Sequence, residues 1–228
     1  MRFLTADYLF PLHIPPLKEG VLQISQKGEI IAIFENRSAV PKDKLELFEG
    51  SLCPGFVNAH CHLELSHLEG IAEKGTGFLN FAGTVNKRNE FTKAQIQIAI
   101  ENAEKQMINN GIVAVGDICN SDDTLSQKSK KNLQYYNFIE IFGVQNEQHK
   151  KIIEEGIDLR DQFRATGQSA TIVPHAPFSV PPKLMRLIAN NFDFQDYTLS
   201  IHSQETEAEN NLFEKKKGHF FDWLNNII

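Results

Sequence analysis

The run Pro54-Gly55-Phe56-Val57-Asn58-Ala59-His60-Cys61-His62-Leu63-Glu64 sets two histidines two positions apart. On an extended chain alternate side chains share a face, so His60 and His62 point the same way. At the mouth of a parallel sheet such a pair can present two imidazoles to one metal ion; in a plain loop they would be two surface histidines. Glu64 continues the alternation and can face the same cavity. Cys61 points the opposite way, as a small packing residue. His62-Leu63-Glu64 also matches the H-x-E opening of the zinc cytidine-type deaminases. The P-C-x-x-C partner of that signature is missing, so that fold is excluded.

Two more histidines follow apolar runs. In Val173-Pro174-His175-Ala176-Pro177 the histidine sits between two prolines that stiffen a turn. Taken alone, His175 fits either a site residue or an ordinary hydrogen-bond partner of loop backbone. In Ser200-Ile201-His202-Ser203-Gln204-Glu205 the histidine ends a run and a carboxylate stands three residues on. Glu205 can reach over a metal-bound water or simply favour a helix N-terminus; Glu207 and Glu209 take the second role. Four histidines at the ends of three strands are hard to explain as packing. His13, His67, His149 and His219 fall in turns or polar helices and read as bystanders. No G-x-G-x-x-G, P-loop or G-x-S-x-G pattern offers a competing chemistry.

The elements that must position these residues alternate along the chain. Residues 1–50 read as strands and turns, a small β-sandwich-like segment with a hairpin of Val21–Ser25 and Ile30–Phe34 around Gly28. Residues 51–228 form the second region. Thr92 to Asn110 is an amphipathic helix with a Thr92/Gln95 capping box and a stop at Gly111. Strands are expected at Ile112–Val115, Phe138–Phe142, Thr171–Val173 and Thr198–Ile201. Further helices are expected near Glu147–Ala165, Pro182–Asn191 and Glu205–Phe213, with a last apolar helix through Trp223 after a break at Lys215–Gly218. Counted from Leu52 this makes five strands, in the order of a parallel sheet covered by helices. The lysine-rich run Lys128–Lys131 reads as a solvated helix end.

Composition bounds the rest. The 228 residues carry 23 Lys+Arg and 29 Asp+Glu, a net charge of −6 that argues against a nucleic-acid module. No apolar run approaches the roughly 20 residues of a membrane span, and the N-terminus lacks the apolar core of a secretory signal. Three cysteines without C-x-x-C spacing suggest neither a disulfide framework nor a thiolate zinc site. A cytoplasmic protein is expected, with homo-oligomer formation left open.

At Pro54–His62, Pro174–Pro177 and His202–Thr206 the sequence resembles the amidohydrolase superfamily. It is most similar there to the purine-type deaminase and chlorohydrolase group, which includes S-adenosylhomocysteine, methylthioadenosine, aminofutalosine and guanine deaminases. The string His60-Cys61-His62-Leu63-Glu64-Leu65-Ser66 is especially similar to aminofutalosine deaminases. The resemblance implies a (β/α)8 barrel of TIM type behind a small N-terminal β-domain. It implies His60, His62 and His202 as metal ligands, Glu205 as proton shuttle, and His175 and Glu64 as substrate contacts. One divalent ion, zinc ahead of iron, would activate water for hydrolysis of a non-peptide carbon–nitrogen bond. Hydrolytic deamination of a purine-type heterocycle is the leading reaction. A chlorohydrolase or a cyclic amide or amidine hydrolase is the alternative within the family. The family also uses a histidine after the sixth strand and an aspartate after the eighth. The stretch from Leu52 is short of the roughly 250 residues typical of eight βα units. The chain is therefore expected to hold about five units, C-terminally truncated, and to be a weak or inactive enzyme by itself.

Overall fold

A computed structural model describes residues 1–192 and 198–226. The chain divides into two compact units, Met1–Gly55 and Phe56–Ile228. The first unit holds seven short strands: β1 (Arg2–Thr5), β2 (Tyr8–Leu9), β3 (Leu17–Lys18), β4 (Val21–Ile24), β5 (Ile30–Phe34), β6 (Leu45–Leu47) and β7 (Ser51–Leu52). They form two sheets, ordered β5-β4-β1-β6 and β3-β2-β7. β4 and β5 are the expected antiparallel hairpin, and Gly28 takes the positive φ of 85° that its turn requires. Leu52 belongs to this unit, paired with Leu9, rather than to the larger sheet. Pro54 has no N–H to donate to a ladder, so the run from Leu52 breaks there and a new strand starts at Phe56.

The second unit is built on four parallel strands, ordered β8 (Phe56–Cys61), β9 (Ile112–Cys119), β10 (Gln134–Ile141) and β11 (Ser169–Pro174). Helices follow them in βα fashion: α1 (Phe78–Val85), α2 (Lys93–Asn109), α3 (Leu125–Lys128), α4 (His149–Ala165), α5 (Pro182–Asn190), α6 (Glu207–Lys215) and α7 (His219–Asn225). In α2 the Thr92 side chain caps Gln95 N–H while Gln95 returns a bond to Thr92 N–H, and Ile96, Ile100 and Met107 are buried. α1 was not legible from periodicity. Phe78, Phe81, Ala82 and Val85 do recur at helical spacing, but the helix is only eight residues long and none of its residues is buried.

Alternation along the strands separates two faces. Ile139, Ile141 and Ile172 pack outward against Phe163 of α4 and Leu184 and Ile188 of α5. Ile118, Phe138 and Val173 form an inner cluster on the opposite face. Gly116 lies where β8 and β9 approach closely: a Cβ there would stand 2.6 Å from the Ala59 carbonyl oxygen.

Two expectations need correction. Thr198–Ile201 does not form a strand. A backbone bond from His202 N–H to His175 C=O, 2.7 Å, joins this segment to the end of β11, but Leu199 and Ile201 are exposed and no ladder develops. Lys128 is not solvated. Its side chain is fully buried, with Nζ 2.5 Å from Asp117 Oδ2 and 2.7 Å from Asn137 Oδ1. A buried ammonium is tolerated only with such partners.

Candidate metal centre

Every candidate residue sits at the C-terminal edge of the parallel sheet or just beyond it. His60 is the penultimate residue of β8 and His62 follows the strand directly. His175 follows Pro174, the last residue of β11, and its N–H donates to Ile141 C=O. The bond from His202 N–H to His175 C=O then docks the fifth segment beside it. The position after His62 is fixed from below: Leu63 N–H donates to Asp117 Oδ1 at 2.8 Å, and Asp117 is held by Lys128.

Three of these imidazoles converge. The ring centroids of His60, His62 and His202 stand 4.8–5.3 Å apart, and their ligand nitrogens form one cluster. His62 Nε2 and His202 Nε2 face each other at 3.2 Å. Two nitrogens each about 2.0–2.1 Å from a tetrahedral zinc stand roughly 3.3 Å apart, so the spacing suits a shared ion. His62 Nδ1 is buried without a hydrogen-bond partner. The donor set is therefore three imidazoles, which fits zinc and other borderline divalent ions.

Electrostatics favours neutral ligands at His62. Burial is the main cause that pushes its pKa down to about 4, with the neighbouring His202 and His60 rings acting in the same direction. Burial also lowers His175, whose Nδ1 lies 2.6 Å from Ser179 Oγ. His202 behaves oppositely: its contact with Glu140 raises its pKa against the effect of burial. Burial alone would raise the Glu140 carboxyl; contacts with His202, His175 and Asn120 hold it below the usual range.

Glu205 stands outside α6, exposed, with its N–H bonded to Glu209 Oε2 at 2.9 Å. Glu209 lies in the first turn of α6, the helix N-terminal place expected of it; it is buried there and ties the loop that carries Glu205. Gln204, just before Glu205, adopts a positive φ of 58°, a strained conformation for a residue with a side chain. The Glu205 charge acts upward on both imidazoles, adding to the raised pKa of His202 and partly opposing the burial that keeps His175 low. Glu64 is placed differently. Its side chain is 1% exposed, and its oxygens accept from Arg88 Nη1 (3.0 Å), Asn120 N–H (3.1 Å), Ser121 N–H (3.0 Å) and Ser121 Oγ (2.8 Å). It therefore holds the loop after β9. A cavity of about 620 Å³ reaches Asn120 and Glu140 from the side of Phe142, Phe178 and Trp223; none of the four histidines lines it.

The amidohydrolase family model matches residues 51–226. The chain belongs to the amidohydrolase family. It is 26% identical over 190 residues to an adenosine deaminase of Helicobacter pylori, which covers 82% of this chain and 46% of that protein. The crystal structure of H. pylori aminofutalosine deaminase with methylthio-coformycin superimposes with a TM-score of 0.74 at 23% identity, over 100% of this chain and 56% of the other. A zinc-bound adenosine deaminase from Xanthomonas campestris gives 0.68 at 18% identity, over 98% of this chain and 54% of the other. The chain spans about half the length of the curated relatives it matches. Its parallel sheet and flanking helices are accordingly part of an amidohydrolase barrel.

Further residues surround the candidate centre. Glu140, Asn120, Asp117 and Arg88 lie outside the histidine motifs, yet each touches a candidate residue or its support. A signal existed for two of them. Asp117 and Glu140 are charges set inside apolar strand runs, and both are buried. Among the histidines read as bystanders, His149 is buried against Gly143 C=O at 3.0 Å and His67 packs edge-on to Phe91.

Proposed function

We propose that this chain carries the metal-binding half of a hydrolase that deaminates a purine-type or related heterocycle. The observation that carries the reading is the convergence of His60, His62 and His202, with two Nε2 atoms 3.2 Å apart. These three side chains would hold one divalent ion, zinc first and ferrous iron second, since neutral imidazole serves both. Such an ion supplies Lewis acidity and lowers the pKa of water toward neutrality. Glu205 acts as proton shuttle, taking a proton at its carboxylate and delivering it to a ring nitrogen of the substrate. His175, held through Nδ1 by Ser179, faces the substrate with its other nitrogen. Glu64 serves the substrate side through the Asn120–Ser121 loop that it holds.

In this reading the first unit is a small β-domain and the second the N-terminal portion of the barrel, with the boundary at Gly55 rather than at residue 50. A small heterocycle is the partner, and neither nucleic acid nor membrane is. Among the described residues no helix is long and apolar enough to cross a membrane. Three free cysteines suit a reducing compartment, and we place the protein in the cytoplasm.

The test is zinc binding by equilibrium dialysis, for the parent and for His60→Ala, His62→Ala and His202→Ala. One ion per parent chain and loss in each variant are expected; a parent that binds none defeats the reading. Ammonia release from adenine nucleosides, guanine and cytosine, alongside chlorinated heterocycles, then separates deaminase from chlorohydrolase. In a chain that turns over, Glu205→Gln should lower kcat by about 100-fold or more while zinc stays bound.

A further inference from the structure

His202 has two ring nitrogens with different surroundings. Nε2 faces His62, on the side where the three imidazoles converge. Nδ1 lies 3.2 Å from the His175 carbonyl oxygen and 3.2 Å from Glu140 Oε1. Both neighbours of Nδ1 only accept hydrogen bonds when Glu140 is ionised, so the proton of a neutral His202 ring belongs on Nδ1. That leaves Nε2 with its lone pair directed at the convergence point. The Glu140 carboxylate is itself fixed. Its side chain is 4% exposed, and Oε2 accepts from Asn120 Nδ2 at 3.1 Å. Asn120 N–H in turn donates to Glu64 Oε2, which Arg88 supports through the other oxygen. Bonds thus run from Arg88 through Glu64 and Asn120 to Glu140. Its Oε1 is buried with no hydrogen-bond partner and reaches His202 Nδ1 as a 3.2 Å charge contact, while Nδ1 makes its hydrogen bond with the His175 carbonyl.

We propose that Glu140 is a positioning residue for the metal ligand His202. It sets the Nδ1–H tautomer, fixes the ring plane and makes Nε2 a stronger donor to the ion. The proposal rests on the metal-centre reading above. A direct ligand role for Glu140 is the competing arrangement, because its carboxylate also lies within 4.8 Å of ring nitrogens of His175 and His202. The geometry favours positioning. Glu140 approaches Nδ1 of His202, whereas the nitrogen that faces His62 is Nε2, so the carboxylate and the convergence of imidazoles take different nitrogens of one ring. Carboxylate–imidazole–metal relays of this kind are a recurrent way to orient a ligand, and losing the carboxylate typically costs 10–100-fold in metal affinity.

The experiment titrates parent, Glu140→Gln and His202→Ala with Co²⁺ and Zn²⁺, reading affinity, stoichiometry and the cobalt d–d spectrum. The glutamine variant preserves shape, and metal-free melting curves check that it folds. Expected for Glu140→Gln are one ion per chain, about 10–100-fold weaker binding and a cobalt spectrum with the parent's band positions. Unchanged affinity would mean the His175 carbonyl suffices, and would overturn the proposal. A changed cobalt coordination spectrum would make Glu140 a ligand and overturn it equally. A parent chain that binds neither ion defeats the metal-centre reading itself, which the comparison of parent with His202→Ala detects separately. Should Glu140→Gln fail to fold, imidazole nitrogen shifts of neutral His202 in the metal-free parent decide the matter. They should report Nδ1–H, and an Nε2–H tautomer would refute the assignment.

Discussion

Lys128 Nζ lies 2.5 Å from Asp117 Oδ2, and neither side chain is accessible to solvent. The ammonium also reaches Asn137 Oδ1 and sits 5.0 Å from the ring centres of Tyr135 and Phe163. The other Asp117 oxygen accepts from Leu63 N–H, one residue past His62. The pair thus links the outer layer of the sheet to the turn that presents a candidate ligand. Replacing Lys128 by Met keeps the stem's packing and leaves a buried carboxylate without its counter-charge. A loss of about 3–5 kcal/mol is expected, read by urea unfolding. A change under 1 kcal/mol would show that Asp117 is neutralised by other means.

Gly116 supports the same edge by size. A Cβ at this position would meet the Ala59 carbonyl oxygen at 2.6 Å and Phe138 Cε2 at 3.0 Å. The first obstacle is backbone, so a side-chain rotation cannot relieve it. Gly116→Ala should therefore push β8 away from β9, at a cost of about 1–3 kcal/mol. His60 follows Ala59, so zinc affinity should fall with stability. An alanine variant with the parent's melting temperature and zinc affinity would show that the strands can spread freely.

How much of this was legible follows from what each residue's signal depends on. The histidines announce themselves because each follows an apolar run, and a strand end in a parallel sheet is a place for function. The capping box of α2 is equally local, since Thr92 and Gln95 are three residues apart. Lys128 is the opposite case. Within a lysine-rich run it looks solvated, and its partners Asp117 and Asn137 lie on two separate strands. Thr198–Ile201 has strand-like composition, but a strand exists only through a ladder, and its link to β11 is the bond from His202 N–H to His175 C=O. Glu140 was visible as a charge in an apolar strand. Its contact with His202 depends on the docking of a segment 62 positions further along, which no local pattern encodes.

The three cysteines should separate by reactivity. Cys53 is exposed, Cys61 half-buried and Cys119 buried. Burial, with the Asp117 charge nearby, pushes the Cys61 thiol up to about 12; burial raises Cys119 as well. The nucleophile is the thiolate, and a raised pKa lowers its fraction at any pH below that value. At pH 8 a thiol of pKa about 12 is ionised in roughly one part in 10⁴. Iodoacetamide at pH 8 should label Cys53 first, and the Cys61 rate should climb about tenfold per pH unit while the fold persists. Peptide mass spectrometry over a time course checks this. Equal early labelling of Cys53 and Cys61 would contradict the half-buried position of the Cys61 side chain.

Arg88 gives a local readout of the loop after β9. Its guanidinium donates to Glu64 Oε1 at 3.0 Å and to Ser121 Oγ at 2.6 Å, and it also pairs with Asp123. Glu64 Oε2 in turn receives the N–H groups of Asn120 and Ser121. Arg88→Met keeps much of the stem and removes every one of those donors. Glu64 is then left as a buried charge whose remaining partners are neutral, which makes opening of the loop easier. Hydrogen exchange should report this at the two amides themselves. Protection at Asn120 and Ser121 is expected to fall by about 10–100-fold, the equivalent of roughly 1.4–2.8 kcal/mol from a charged hydrogen bond. The Ile100 amide, in the middle of α2, serves as the reference that should not move. Full protection of both loop amides in the variant would mean that Glu64 holds the loop without Arg88, and that the relay toward Glu140 starts at Glu64.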